Sequence, residues 1–173
     1  SGYMPMKHSI KSQAGFTLLE TLIAVILLSF GLLGVAGMQM KSQQFNRSAY
    51  FETQAIIIAH DMLERMRANI AGQKNGHYHL PTATKHARCY TTVGCDTLEM
   101  AQNDMYEWAG ADTDSIAAKI PAGSGTVCLD STPDDGTPTT PECDNTGQVY
   151  AIKIWWEDSD EATRRAIITA AFE

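Results

Sequence analysis

Hydrophobic positions follow three successive patterns along the chain. From Thr21 to Met38, eighteen residues run without a charge. As a helix this run is about 27 Å long, close to the hydrocarbon thickness of a bilayer, so it predicts a membrane-spanning segment. Beyond it, Phe45, Ala49, Glu52, Ile56, Ala59, Leu63, Met66 and Ile70 fall at alternating steps of four and three, an apolar stripe broken only by Glu52. Lys41, Gln44, Arg47, Gln54, Asp61 and Arg65 lie mainly on other faces, and Asp61 and Arg65 are spaced for a helical ion pair. Gly72 is a natural stop. Together these patterns predict one helix from Phe16 to Ile70, 55 residues and about 80 Å long. A small domain needs far less, so the apolar half is expected to protrude and bundle with its like.

The third pattern lies in the C-terminal half. Asp96-Thr97-Leu98-Glu99 has the form of an N-cap with a glutamate at the third helical position, and Leu98, Ala101, Met105 and Trp108 continue at helical spacing. Thr126 to Leu129, Gln148 to Trp156 and Ala166 to Phe172 are rich in Val, Ile, Thr and aromatic residues and read as antiparallel strands, the last two flanking an acidic turn at Asp158 to Glu161. Tyr150, Ile152, Ile154 and Trp156 alternate onto one face, which is expected to pack on the Ile56 to Ile70 stripe. The predicted class is α+β.

Composition narrows the function. The chain has 173 residues, 44% of them hydrophobic, and a formal charge of -7, enough for one modest core and one domain beyond the apolar segment. Residues 1–70 hold six Lys/Arg against four Asp/Glu; residues 71–173 hold seven against sixteen, a net charge of -9. Such an acidic domain repels nucleic-acid backbones, so no nucleic-acid partner is expected. Cys89, Cys95, Cys128 and Cys143 show no CxxC spacing, and their even number beyond an export-type segment favours disulfides. Three pairings are open. Cys89 with Cys95 and Cys128 with Cys143 is preferred because each closes a short loop, the second contributing about 3 kcal/mol in the chain-entropy model.

The N-terminus poses a specific problem. Ser1 to Pro5 precede Met6 and are upstream residues or a tag. Lys7 and Lys11 then precede the apolar run, and positive charge there holds that end in the cytoplasm. Glu20 sits at the start of the run, where a carboxylate costs about 2.5–3.5 kcal/mol if carried to the bilayer centre. A secretory signal with an awkward residue, or an anchor with Glu20 among the headgroups, is the plainer alternative. The run is too long for a secretory h-region, however, and Val35-Ala36-Gly37 is a poor cleavage site. Gly15 offers a small-residue cleavage point ahead of the run instead. A cut there removes the basic leader and leaves the hydrophobic helix attached.

Gly15-Phe16-Thr17-Leu18-Leu19-Glu20 resembles the type IV prepilin signal. By that resemblance a prepilin peptidase cuts between Gly15 and Phe16, Phe16 becomes an N-methylated terminus, and Glu20 serves filament assembly. A neighbouring subunit's Phe16 amine would compensate the Glu20 carboxylate, and at i,i+4 the same subunit's amine competes for it. The fold implied is the type IV pilin-like lollipop, with a long helix on a small antiparallel sheet, a second short helix and disulfides. Its parts would be a leader at 1–15, the transmembrane and filament-core half of the helix at 16–40, its amphipathic half at 41–72, and a globular periplasmic or extracellular domain at 73–173. Gly31, Gly34 and Gly37 weaken the helix by about 1 kcal/mol each relative to alanine. They serve either close helix packing or, as the resemblance implies, unwinding in the fibre.

Asp104, Glu107-Trp108, Ile120-Pro121, Gly123 to Val127 and the Ile152 to Asp158 strand are similar to the pattern of PilV-type minor pilins. That likeness implies an inner-membrane subunit that joins other minor and major pilins through an inner-membrane assembly platform. It would prime assembly from a tip complex that displays an adhesin, and support twitching and adhesion. A type II secretion pseudopilin would carry the same leader, and an exported binding or enzymatic domain on an anchor is the reading from another class. No catalytic residue, cofactor or metal is expected. His77, His79 and His86 with Cys89 fit no zinc spacing and read as solvated. Asp130, Asp134, Asp135 and Asp144 lack a calcium-loop pattern and read as a solvated acidic turn. Trp108, Trp155 and Trp156 read as core rather than a ligand platform.

Overall fold

The computed structural model describes residues 15, 17–110, 113–158 and 162–171, and the chain divides into two compact units between Gln43 and Gln44. Helix α1, Leu18–Ala68, is 51 residues long. Its start is set locally: the Glu20 N–H donates to the Thr17 carbonyl at 3.1 Å and lies 3.3 Å from the Thr17 hydroxyl. In the first unit Leu22, Phe30 and Leu33 are all well exposed. This part of α1 is long and apolar enough to cross a membrane. Gly31, Gly34 and Gly37 lie within the helix, and a Cβ at any of them would meet nothing within 4 Å.

The expected single helix to Ile70 ends earlier, at Ala68, and Gly72 does not stop it. Asn69 breaks the helix with φ -122° and ψ 57°, and its Oδ1 caps a five-residue helix α2, Ile70–Lys74, by accepting the Gly72 N–H at 3.1 Å. Its Nδ2 donates to the Thr97 carbonyl at 2.8 Å, tying the break to the next helix. Gly72 is needed for this close approach, because a Cβ there would lie 2.4 Å from Asn69 Nδ2.

The second unit contains a three-stranded antiparallel sheet in the order β1-β2-β3: β1 Ser124–Leu129, β2 Val149–Glu157 and β3 Thr163–Ala171. Register runs from Ser124↔Trp155 to Leu129↔Tyr150 and from Val149↔Ala171 to Glu157↔Thr163. Helix α3, Thr97–Ala109, opens with the expected Asp96/Glu99 capping box. A one-turn helix α4, Ile116–Lys119, and a 3-10 turn at Ala87–Tyr90 are too short to leave a periodic signal.

The core joins α1, α3, α4 and one sheet face. The expected Tyr150, Ile152, Ile154 and Trp156 are in it, and so are Ala59, Leu63 and Met66 of the expected α1 stripe, but the buried face also takes in Ala55, Ile58 and Met62, whereas Phe45, Ile56 and Ile70 are exposed. Apolar residues cover more than one face of this segment, and the sheet selects the one carrying Ala55 and Ala59, which admit close approach. Each large aliphatic side chain buried here contributes about 1.5–3 kcal/mol. Trp108 belongs to the core as expected, while Leu98, at the start of α3, is largely exposed.

Candidate functional site

Three clusters carry the chemistry of the chain. The first is the helix start. Gly15 and Thr17 precede α1 immediately, and Glu20 occupies its first turn, where a negative charge meets the positive end of the helix dipole. Thr17 and Glu20 stand in the spacing of an N-cap and its third helical residue. The motif that looks like a processing signal is thus also a helix-start signal. Phe16 and the basic leader lie outside the described residues.

The second cluster is the segment enclosed by disulfides. Cys89 is bonded to Cys95, and Cys128 to Cys143. Asp130 is not the solvated residue expected: it is 1% exposed, and its Oδ2 lies 2.6 Å from Nζ of Lys153, whose side chain is also fully buried. Lys153 projects from the β2 face opposite the main core and reaches Oδ1 of Asp135 at 3.0 Å and the Pro141 carbonyl at 2.8 Å. The Thr132 hydroxyl, followed by Lys153, holds the Asp135 carboxyl below the usual carboxylate range. Ser131 donates its backbone N–H and its hydroxyl to Asp144. The hydroxyl bond chiefly holds that carboxyl low. Replacing Cys128 and Cys143 by alanine is expected to cost about 3 kcal/mol, read as a lowered midpoint in urea unfolding of the detergent-solubilised chain.

A polar seam between α1 and α3 forms the third cluster. Arg65 makes the expected pair with Asp61, Nε to Oδ2 at 3.2 Å, and extends Nη1 to Glu107 Oε2 at 2.5 Å. The Tyr90 hydroxyl donates to Glu107 at 2.6 Å and the Tyr78 hydroxyl to Asp104 at 2.5 Å. Burial pushes the Asp104 carboxyl up. Glu107 goes the other way: burial opposes ionisation, but the Tyr90 hydroxyl and Arg65 together hold its carboxyl below the ordinary range. A depressed folded-state pKa gives stability that is complete above the unfolded value and lost as pH falls through the folded one. Glu107→Gln should therefore lower stability at neutral pH and flatten the loss on acidification, measured by urea unfolding across that range.

The histidines have partners in the fold. The Leu129 N–H donates to His79 Nδ1 at 3.1 Å, His86 Nε2 is 2.7 Å from Gln102 Oε1, and His77 Nδ1 is 3.2 Å from the Thr97 hydroxyl. They are half-buried structural contacts rather than solvated side chains. Cys128, Asp130 and Cys143 lie close together, but both sulfurs are in a disulfide and the carboxylate faces an ammonium. That set already has its partners. Sequence reasoning missed the Lys153 centre. Its signal was present: Ala151 and Trp155 flank Lys153 on the supposed outer face of β2, and a strand with apolar residues on both faces has both covered.

An apolar helix long enough to span a membrane, continuous with an amphipathic stretch that packs on a three-stranded antiparallel sheet, is an α+β architecture that fits a membrane-anchored subunit. A model of the prokaryotic N-terminal methylation motif matches residues 10–36, and a model of the type IV pilin Tt1218 matches residues 37–106. The matches adjoin, run together from residue 10 to residue 106, and support a type IV pilin-like family. No curated protein and no solved structure matches it. The chain is accordingly a pilin-type subunit with a prepilin methylation motif, and the family is structural rather than enzymatic.

Proposed function

We propose that this chain is a minor pilin of a type IV pilus, of the PilV type, cut between Gly15 and Phe16 by a prepilin peptidase and methylated on the Phe16 amine. The observation that carries the reading is the position of Gly15, three residues before α1 begins. Cleavage there sheds the basic leader and leaves the whole spanning helix in place. The released amine stands at the positive end of the helix dipole, where it is poorly tolerated. Glu20, in the first turn, supplies the compensating charge within the subunit or to a neighbour's Phe16. Before assembly the protein is a single-pass inner-membrane protein with its globular unit in the periplasm. It then enters a priming or tip complex with other minor and major pilins through the inner-membrane platform, supports twitching and adhesion, and helps to display a tip adhesin.

N-terminal mass analysis of the protein from its native membrane is expected to give a methylated chain beginning at Phe16. Gly15→Val should retain the leader and abolish incorporation into pili. A free species beginning near Met38 would overturn the reading. Deletion separates the subtypes: loss of surface pili and twitching supports the minor pilin, whereas retained pili with loss of secreted enzymes assigns the chain to a type II secretion pseudopilus.

A further inference from the structure

We propose that Lys153 and Asp130 condense to an intramolecular amide, an isopeptide crosslink between β2 and the disulfide-bounded loop. The Lys153 Nζ lies 2.6 Å from Asp130 Oδ2, and neither side chain has exposed surface. A second carboxylate oxygen, Asp135 Oδ1, is 3.0 Å from the same nitrogen on a side chain that is 40% exposed. On the other oxygen of Asp130, Oδ1, the Thr132 N–H donates at 2.9 Å, while the Thr132 hydroxyl gives its one proton to Asp135 Oδ2 at 2.8 Å. A nucleophile, an electrophile, a proton carrier open to water and a donor to the developing oxyanion therefore converge on one buried carbon.

The reaction balances without another reactant. The Lys153 ammonium gives one proton to Asp135, and the amine lone pair attacks Cγ of Asp130 to form the Nζ–Cγ bond. Negative charge develops on Oδ1, where Thr132 holds it. The nitrogen passes a second proton to Oδ2, Asp135 returns the first, and the Cγ–Oδ2 bond breaks with water as the leaving group. One proton stays on the amide nitrogen and Asp135 ends as a carboxylate.

Two features favour the step. The groups are already in contact, so condensation is effectively unimolecular. A buried ion pair also carries a desolvation cost that its attraction repays only in part, and a neutral amide removes both charges. The Asp135 and Pro141 carbonyls, at 3.2 and 2.8 Å from Nζ, fix the nitrogen in place. Cys128 pairs with Ala151 on the neighbouring β1–β2 rungs, so the amide and the disulfide would clamp the same loop to the sheet at adjoining positions. Such a double clamp suits a subunit that carries tension along a filament.

Full-length protein solubilised from membranes in detergent should be reduced, alkylated and digested with trypsin for peptide mass mapping. No Lys or Arg lies between Ile120 and Lys153, so the expected result is a single internally linked peptide running from Ile120 to Arg164, lighter than its sequence mass by one water, with no cleavage after Lys153. An unmodified Ile120–Lys153 peptide, with cleavage after Lys153 and full sequence mass, would overturn the proposal, and this reading of the wild-type chain holds even where a variant fails to fold. Lys153→Arg and Asp130→Ala must lack the linked species. In Asp135→Asn the uncrosslinked peptides should accumulate, and complete linkage there would remove Asp135 from the step.

Discussion

Trp108→Ala is expected to destabilise the Gln44–Glu173 unit by about 3–5 kcal/mol, the range for deleting a large buried aromatic side chain. Trp108 is 2% exposed and stands where three elements meet. It projects from α3, its indole Nε1 donates to the Ile58 carbonyl of α1 at 2.8 Å, and its ring lies over Gly125 of β1, where an added Cβ would come within 2.7 Å of it. Truncation opens a cavity and withdraws the donor from a backbone carbonyl that already serves the helix ladder, so the cavity term dominates. Trp108→Phe, which keeps most of the volume and loses the donor, should cost distinctly less. Urea unfolding of the detergent-solubilised chain, followed by the fluorescence of the remaining tryptophans, checks both. Equal losses in the two variants would assign the effect to the hydrogen bond.

Trp108 is the largest of the α3 side chains in this core, which also holds Ala101 and Met105. The polar seam runs along the same contact, but Arg65, Glu107 and Asp61 are partly exposed, and pairs of that kind contribute about 0–1 kcal/mol each. The apolar contact holds the helices together and the seam sets how they align.

Much of this was legible in the sequence because the signals are strong and local. An eighteen-residue uncharged run, a capping box at Asp96 and strands rich in β-branched residues each declare themselves within a few positions. Gly15 and Glu20 were legible for the same reason, as a short motif at fixed spacing. The misreadings share a different cause. The α1 stripe is legible at Ala59, Leu63 and Met66 but not at its edge, where Ala55, Ile58 and Met62 are buried and Ile56 is exposed, because apolar residues there cover more than one face and only the sheet decides among them. Gly72 has the sequence signature of a stop but is a spacer beneath Asn69, a role that depends on a side chain folding back over it. Asp130 reads as solvated because its partner lies 23 residues away on β2, and no local pattern marks a salt bridge of that separation.

Lys153→Ala is the variant in which that long-range partnership should show most. Removing the amine leaves the Asp130 carboxyl at 0% side-chain exposure, with only Thr132 to donate to it. An uncompensated buried charge of this kind costs about 3–5 kcal/mol. The loss should be expressed first in the loop rather than the sheet, because the Lys153 ammonium also binds the Asp135 and Pro141 carbonyls of the loop, whereas the backbone pairing of Lys153 with Thr126 and Ile167 does not depend on its side chain. Protease cleavage between Ser131 and Glu142 is therefore expected to rise well before the unit unfolds. The double variant Lys153→Met with Asp130→Leu removes both charges and any covalent bond between them while keeping the volume, and should recover most of the lost stability, since a well-packed apolar pair commonly equals a buried ion pair. If the double variant proved as unstable as Lys153→Ala, the loss would belong to what both variants lack, the crosslink and the nitrogen's contacts with the Asp135 and Pro141 carbonyls, and the unpaired carboxylate would not be its cause.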